Sequence, residues 1–220
     1  MIEAVIFDLD GVIVRTDEQH YRAWKALADS LGVPFDRSKN DRLRGVSRIV
    51  SLEIVLEDSG RTFSEEEKAV LAAQKNEIYV RLLQSITPAD ALTGVVDVLH
   101  ALKDGGTKIA VGSSSKNTKH ILGKLGLLEL FDAIADGTDI THSKPHPEVF
   151  LCAAKKLGLA PALCAVVEDA SAGIQAAKAA GMLAVGFGGD ACTDPDADAV
   201  ISHPSELLDL VRKQSKPSRK

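Results

Sequence analysis

No hydrophobic run in the sequence approaches the roughly 18 residues that a membrane-spanning helix requires, so association with a membrane is not expected. A secretory leader is not expected either, because Glu3, Asp8 and Asp10 interrupt the first apolar residues and no basic segment precedes them. Cysteine is scarce: Cys152, Cys164 and Cys192 are odd in number and lack C-x-x-C or metal-ligand spacing. That pattern points to a reducing compartment and to packing rather than catalysis, and a cytoplasmic location is the expectation. Positive charge in excess is also missing. With a net charge of -5 and basic residues scattered until the 213–220 tail, nucleic-acid binding is disfavoured as the main task. The tail itself, with Lys213, Lys216, Arg219 and Lys220, reads as a solvated end. Internal repeats and low-complexity segments are absent.

What is present is an alternation. A chain of 220 residues can bury one sizeable core, or a core with a smaller attached domain. Short apolar runs at 4–7, 108–112, 133–135, 165–167, 183–186 and 199–201 predict strands. Amphipathic stretches at 95–103, 118–125, 148–157, 172–180 and 206–212 predict helices, with Gly158 and Gly181 placed as C-caps. The alternation implies an α/β fold with a Rossmann-like, doubly wound parallel sheet, whose site lies beyond the carboxyl ends of its strands. Residues 16–87 carry only helical signals, at 18–31, 47–58 and 64–83, the last opened by the capping box Ser64-x-x-Glu67. About 70 periodic residues are too many for a loop. An inserted all-helical cap domain is therefore expected over 16–93, with hinges at 14–17 and 88–93 and a core made of 1–15 and 94–220.

Four predicted strand ends carry groups suited to phosphoryl chemistry. Asp8-Leu9-Asp10-Gly11-Val12 follows the first strand and places two carboxylates two residues apart, a nucleophile and an acid/base in one loop; the competing reading is a simple acidic turn. Ser113-Ser114-Ser115-Lys116-Asn117 precedes a helix and offers hydroxyls and backbone N–H groups to a phosphate, although the same residues cap helices without a ligand. Lys144, in the stiff loop Ser143-Lys144-Pro145-His146-Pro147, can face an anion or simply be solvated. Glu168 and Asp169 follow a further strand, where hard oxygen ligands suit Mg2+ and acids also suit a helix start.

Asp8-x-Asp10, Ser113, Lys144 and Glu168-Asp169, in this order and with an insert after the first, resemble the haloacid dehalogenase superfamily of phosphotransferases. Over nearly the whole chain the sequence resembles its beta-phosphoglucomutase family. That closer likeness rests on Phe7 to Ile13, His20-Tyr21-Arg22-Ala23-Trp24-Lys25, Gly45-Val46-Ser47-Arg48, Lys75-Asn76, Ser114-Ser115-Lys116-Asn117 and Ala172-Gly173-Ile174-Gln175-Ala176.

The resemblance implies interconversion of beta-glucose 1-phosphate and glucose 6-phosphate through beta-glucose 1,6-bisphosphate, with hexose phosphates as partners and a monomeric enzyme. Asp8 would be phosphorylated, and Asp10 would act as general acid/base. Asp8, the Asp10 carbonyl, Glu168 and Asp169 would hold Mg2+, while Ser113 and Lys144 neutralise the transferring phosphoryl oxygens. Arg48 would grip the second phosphate, with Ser115, Lys116 and Asn117 on the core side. Thr16, His20, Trp24, Gly45, Val46, Ser47, Lys75, Asn76 and Ser114 complete the implied substrate-binding set, packing being the competing reading for Trp24. His20 and Lys75 would link cap closure to Asp10. Arg15 departs from the family, which commonly carries an acid there, and residues 190–197 carry no family signal. The alternatives are a sugar-phosphate phosphatase of the same superfamily and a non-catalytic phosphometabolite sensor.

Overall fold

The computed structural model describes residues 1–43 and 46–215, Ser215 by its backbone alone. From the N-terminus, strand β1 (Ala4–Phe7) leads to helices α1 (Asp17–Ser30), α2 (Arg37–Asp41), α3 (Arg48–Leu56) and α4 (Glu65–Leu83). Then follow α5 (Val95–Asp104), β2 (Lys108–Gly112), α6 (Thr118–Leu125), β3 (Ala133–Ala135), α7 (Glu148–Leu157), β4 (Cys164–Glu168), α8 (Ser171–Ala179), β5 (Leu183–Phe187), β6 (Ala199–Ile201) and α9 (Glu206–Ser215). The chain divides into two compact units, one holding Met1–Arg15 and the chain from Thr87 onward, the other Thr16–Ile86.

In the α/β unit the six strands form one parallel sheet in the order β3-β2-β1-β4-β5-β6. β1 is central and wholly buried, as its unbroken Ala-Val-Ile-Phe run requires of a strand covered on both faces. Phe7 pairs with Val111 on one side and Val167 on the other, so the next residue, Asp8, emerges between the ends of β2 and β4. Its amide continues the ladder by donating to the Val167 carbonyl at 2.9 Å. Ile6, Val149, Phe150, Ala153, Val166 and Ile174 belong to one apolar cluster beneath these ends. Fully burying a side chain such as Phe150 contributes about 1.5–3 kcal/mol, so the cluster anchors the strand ends firmly.

The second crossing between the units differs from expectation. Residues 87–93 belong to the α/β unit rather than to the helical insert, because Val14 bridges to Ala91 and the Leu92 amide donates to the Ile13 carbonyl at 2.8 Å. Two further differences are local. Strand β4 extends one residue beyond expectation at each end, which puts Glu168 inside the sheet and opposite Gly186. Helix α2, which has no apolar periodicity to announce it, starts where Asp36 accepts from the Lys39 amide at 2.8 Å.

The helical unit packs Trp24, Leu27, Leu52, Val55, Phe63 and Leu71 into a core of its own. Its longest helix, α4, opens with the expected capping box: Ser64 Oγ accepts from the Glu67 amide at 3.2 Å, and Glu67 Oε2 accepts from the Ser64 amide at 2.8 Å. Among the described residues no helix is long and apolar enough to cross a membrane.

Candidate active site

Three of the expected stations meet at the end of the sheet. Lys144 Nζ donates to Asp8 Oδ1 at 2.5 Å and to Glu168 Oε1, and it lies 4.6 Å from the centre of the Phe150 ring. All three polar groups are buried. Glu168 tolerates this because the amides of Asp169 and Ala170 also donate to its Oε2, at 2.8 and 3.0 Å. Asp8, Glu168 and Asp169 each bring a carboxylate oxygen to within 4.8 Å of the others. The crowding needs glycine nearby: a Cβ at Gly173 would overlap the Glu168 carboxylate, and one at Gly11, whose φ is 82°, would overlap that of Asp169.

The electrostatics are those of too much negative charge around one ammonium. Burial, reinforced by Glu168 and Asp10 and only partly offset by Lys144, pushes the Asp8 carboxyl up to about 7. Burial, then the neighbouring Asp8 and Glu168, pushes Asp169 up to about 8. Lys144 is driven the other way from a normal buried amine: burial alone would lower its pKa, but Asp8 and Glu168 outweigh it and the pKa is raised. Hard oxygen donors with a deficit of positive charge are what a divalent cation takes as ligands.

Ser113, buried at the end of β2, accepts from the Ser115 amide on its Oγ at 3.1 Å, which leaves the hydroxyl proton free for an external acceptor. Ser115 Oγ in turn accepts from the Asn117 amide at 3.2 Å, and the Ser114 hydroxyl is buried without a partner. Lys116 is exposed. Asp10 is partly buried, in the turn bridged to Val14.

The remaining expected residues lie in the helical unit, apart from Gly45, which falls outside the described residues. His20 Nδ1 is 2.9 Å from Lys75 Nζ, and the ammonium lies 4.7 and 4.5 Å from the ring centres of Trp24 and Tyr79. Burial first, then the Lys75 and Arg48 cations, push the His20 imidazole well below its usual range. Trp24 is a core residue with almost no exposed face, which is how a packing residue rather than a sugar platform is placed. Thr16 is buried and accepts from the Tyr79 hydroxyl at 3.1 Å. Ser47 caps α3, accepting from the Val50 amide at 3.2 Å, beside Val46 and the half-buried Arg48. Asn76 follows Lys75 on α4 and is partly buried.

Residues 190 and 191, in the 190–197 segment that carries no family signal, nevertheless support the site. The Ala191 amide donates to the Asp169 carbonyl at 3.1 Å, and Asp190 accepts from the Ser171 amide at 3.0 Å. The glycine pair Gly188-Gly189 before this turn, with both φ angles positive, is the one local clue.

The haloacid dehalogenase-like hydrolase family matches residues 2–181. The chain is 44% identical over 216 residues to the beta-phosphoglucomutase of Bacillus subtilis (strain 168), covering 97% of this chain and 95% of that protein. It is 35% identical over 184 residues to a fructose-1-phosphate phosphatase of Escherichia coli (strain K12), covering 82% of this chain and 94% of that one. The crystal structure of a beta-phosphoglucomutase from Clostridium difficile superposes with a TM-score of 0.91 at 42% identity, covering 97% of each chain. With the cluster at the sheet end in the same chain as these likenesses, the protein belongs to the haloacid dehalogenase-like hydrolase family.

Proposed function

We propose that the chain acts as a beta-phosphoglucomutase, interconverting beta-glucose 1-phosphate and glucose 6-phosphate through beta-glucose 1,6-bisphosphate. The observation that carries this reading is that the 44% likeness to a mutase extends over both units of a chain whose Asp8 is buried against Lys144. Asp8 Oδ attacks phosphorus, so that a bond from Asp8 to phosphorus forms as the bond from phosphorus to the sugar oxygen breaks. Asp10 gives its proton to that leaving oxygen, then takes one from the hydroxyl that attacks the aspartyl-phosphate. Lys144 spends two of its three donors on Asp8 and Glu168, which leaves one for a phosphoryl oxygen, and Ser113 supplies its free hydroxyl proton to another.

Asp8, Glu168 and Asp169, with the Asp10 carbonyl, would hold Mg2+, which supplies charge neutralisation between the Asp8 carboxylate and the incoming phosphoryl group. In the helical unit, Arg48 is the cation proposed to grip the phosphate that is not being transferred. Thr16, His20, Val46, Ser47, Lys75 and Asn76 are proposed as its further surroundings.

The E. coli likeness favours one competing reading, a phosphatase that uses the same Asp8 chemistry with water as the acceptor. A coupled assay separates the two. With each anomer of glucose 1-phosphate, Mg2+ and a trace of glucose 1,6-bisphosphate, the mutase yields glucose 6-phosphate from the beta anomer and little free phosphate. Free phosphate without glucose 6-phosphate would identify the phosphatase.

A further inference from the structure

A second group of metal-ligating side chains lies outside the carboxylate cluster, on the loop that carries Lys144. His142, His146 and Glu148 each present one ligand atom within 4.8 Å of the others. His142 Nδ1 is 3.0 Å from Glu148 Oε2 and His146 Nδ1 is 3.8 Å from the same oxygen, while the two imidazole centres are 4.7 Å apart. The carboxylate is aimed by the backbone: the Thr141 amide donates to Oε1 at 3.0 Å, and the His142 amide donates to Oε2 at 2.8 Å. The Glu148 amide also donates to His146 Nδ1 at 3.3 Å, which orients that ring beside the carboxylate.

The donor chemistry selects the ion. Two imidazoles and one carboxylate favour Zn2+, Ni2+ or Cu2+ over Mg2+, which prefers an all-oxygen set. Backbone N–H groups that fix a ligating carboxylate before any ion arrives are the usual outer-shell support of such sites. His142 and His146 stand two residues before and two after Lys144, so an ion held by them spans the segment that delivers the ammonium to Asp8 and Glu168.

We infer that His142, His146 and Glu148 form a transition-metal site, distinct from the carboxylate cluster, that fixes the loop bearing Lys144. Its test is titration of the full-length chain with Zn2+ in saturating Mg2+, followed by calorimetry and by the side-chain nitrogen NMR signals of the histidines. Wild type should show Zn2+ binding that shifts His142 and His146. His142→Ala and His146→Ala should each weaken it by roughly 10-fold to 100-fold, the loss produced even by an outer-shell partner. Both side chains are exposed, so the variants should melt as wild type does without Zn2+, and Glu148→Gln tests the carboxylate in the same way. Hydrogen exchange over residues 141–148 should slow on Zn2+ addition. Equal Zn2+ binding by wild type and both histidine variants, or Zn2+ binding that leaves the His142 and His146 signals unmoved, would overturn the site. Unchanged exchange over the loop would overturn its bracing role.

Discussion

Lys144 in the α/β unit and Lys75 in the helical unit are both almost completely buried, 4% and 2% exposed, yet their surroundings have opposite character. Lys144 is met by the Asp8 and Glu168 carboxylates with Asp169 close by, and burial, reinforced by the neighbouring carboxylates, raises the pKa of both aspartates. Lys75 is met by an imidazole and two aromatic faces. There, burial and then the cations Lys75 and Arg48 keep His20 neutral, so that its Nδ1 accepts from the Lys75 ammonium. The first neighbourhood crowds carboxylates together, which suits a hard metal ion, and the second sets an ammonium against a neutral imidazole and two aromatic faces.

The largest effect should come from the anionic side of this contrast. Asp8→Asn removes the nucleophile and one of the cluster's negative charges together, and turnover should fall by roughly 10,000-fold or more. Acid-quench trapping of labelled phosphoenzyme would check it, and near-normal turnover by the purified variant would remove the covalent mechanism. Asp10→Asn should cost about 100-fold to 10,000-fold with hexose phosphates, the usual worth of acid/base help. Acetyl phosphate, whose leaving group needs little protonation, should still phosphorylate Asp8 in that variant.

Arg48→Ala probes the cationic side. Loss of a charge-assisted contact to phosphate is worth about 1.5–3 kcal/mol, so glucose 6-phosphate formation should slow by roughly 10-fold to 150-fold. Phosphorylation of Asp8 by acetyl phosphate should be spared, because that donor brings no second phosphate. Equal slowing of both reactions would make Arg48 a general structural residue and erase the division between the two neighbourhoods.

The smallest effect is on stability. An unfolded histidine titrates near about 6.5, whereas His20 in the folded chain titrates well below it. Above about pH 6.5 neither state holds the proton and His20 adds no pH dependence. Below it the unfolded chain binds a proton that the native chain does not, so stability falls as pH drops, by up to about 1.4 kcal/mol per pH unit. Urea unfolding of wild type and His20→Gln, whose amide oxygen can still accept from Lys75, should differ in slope as the pH falls below about 6.5, the difference growing toward one proton. Identical slopes would mean that His20 is charged in the native state, contrary to the contrast drawn above.

The strands were legible in the sequence because each is a short apolar run closed by turn residues, and a parallel sheet covered on both faces demands that composition. Asp8-x-Asp10 and Ser113 were legible because each follows such a run, where a doubly wound sheet presents its site, and Lys144 because it sits in a stiff proline-flanked loop. The helical insert was legible from period and capping, down to the reciprocal bonds of Ser64 and Glu67. Other features depend on partners far along the chain. Glu168 belongs to β4 and is buried there only because Lys144 and two local amides satisfy it, a pairing across 24 residues that no local pattern announces. His20 meets Lys75 across 55 residues, and the placement of residues 87–93 rests on bonds to Ile13 and Val14. Local propensity and periodicity act over a few residues and are written in the chain itself. Strand order, the sharing of one ammonium by two buried carboxylates and the signs of the two lysine neighbourhoods arise from long-range packing, so only the tertiary structure decided them.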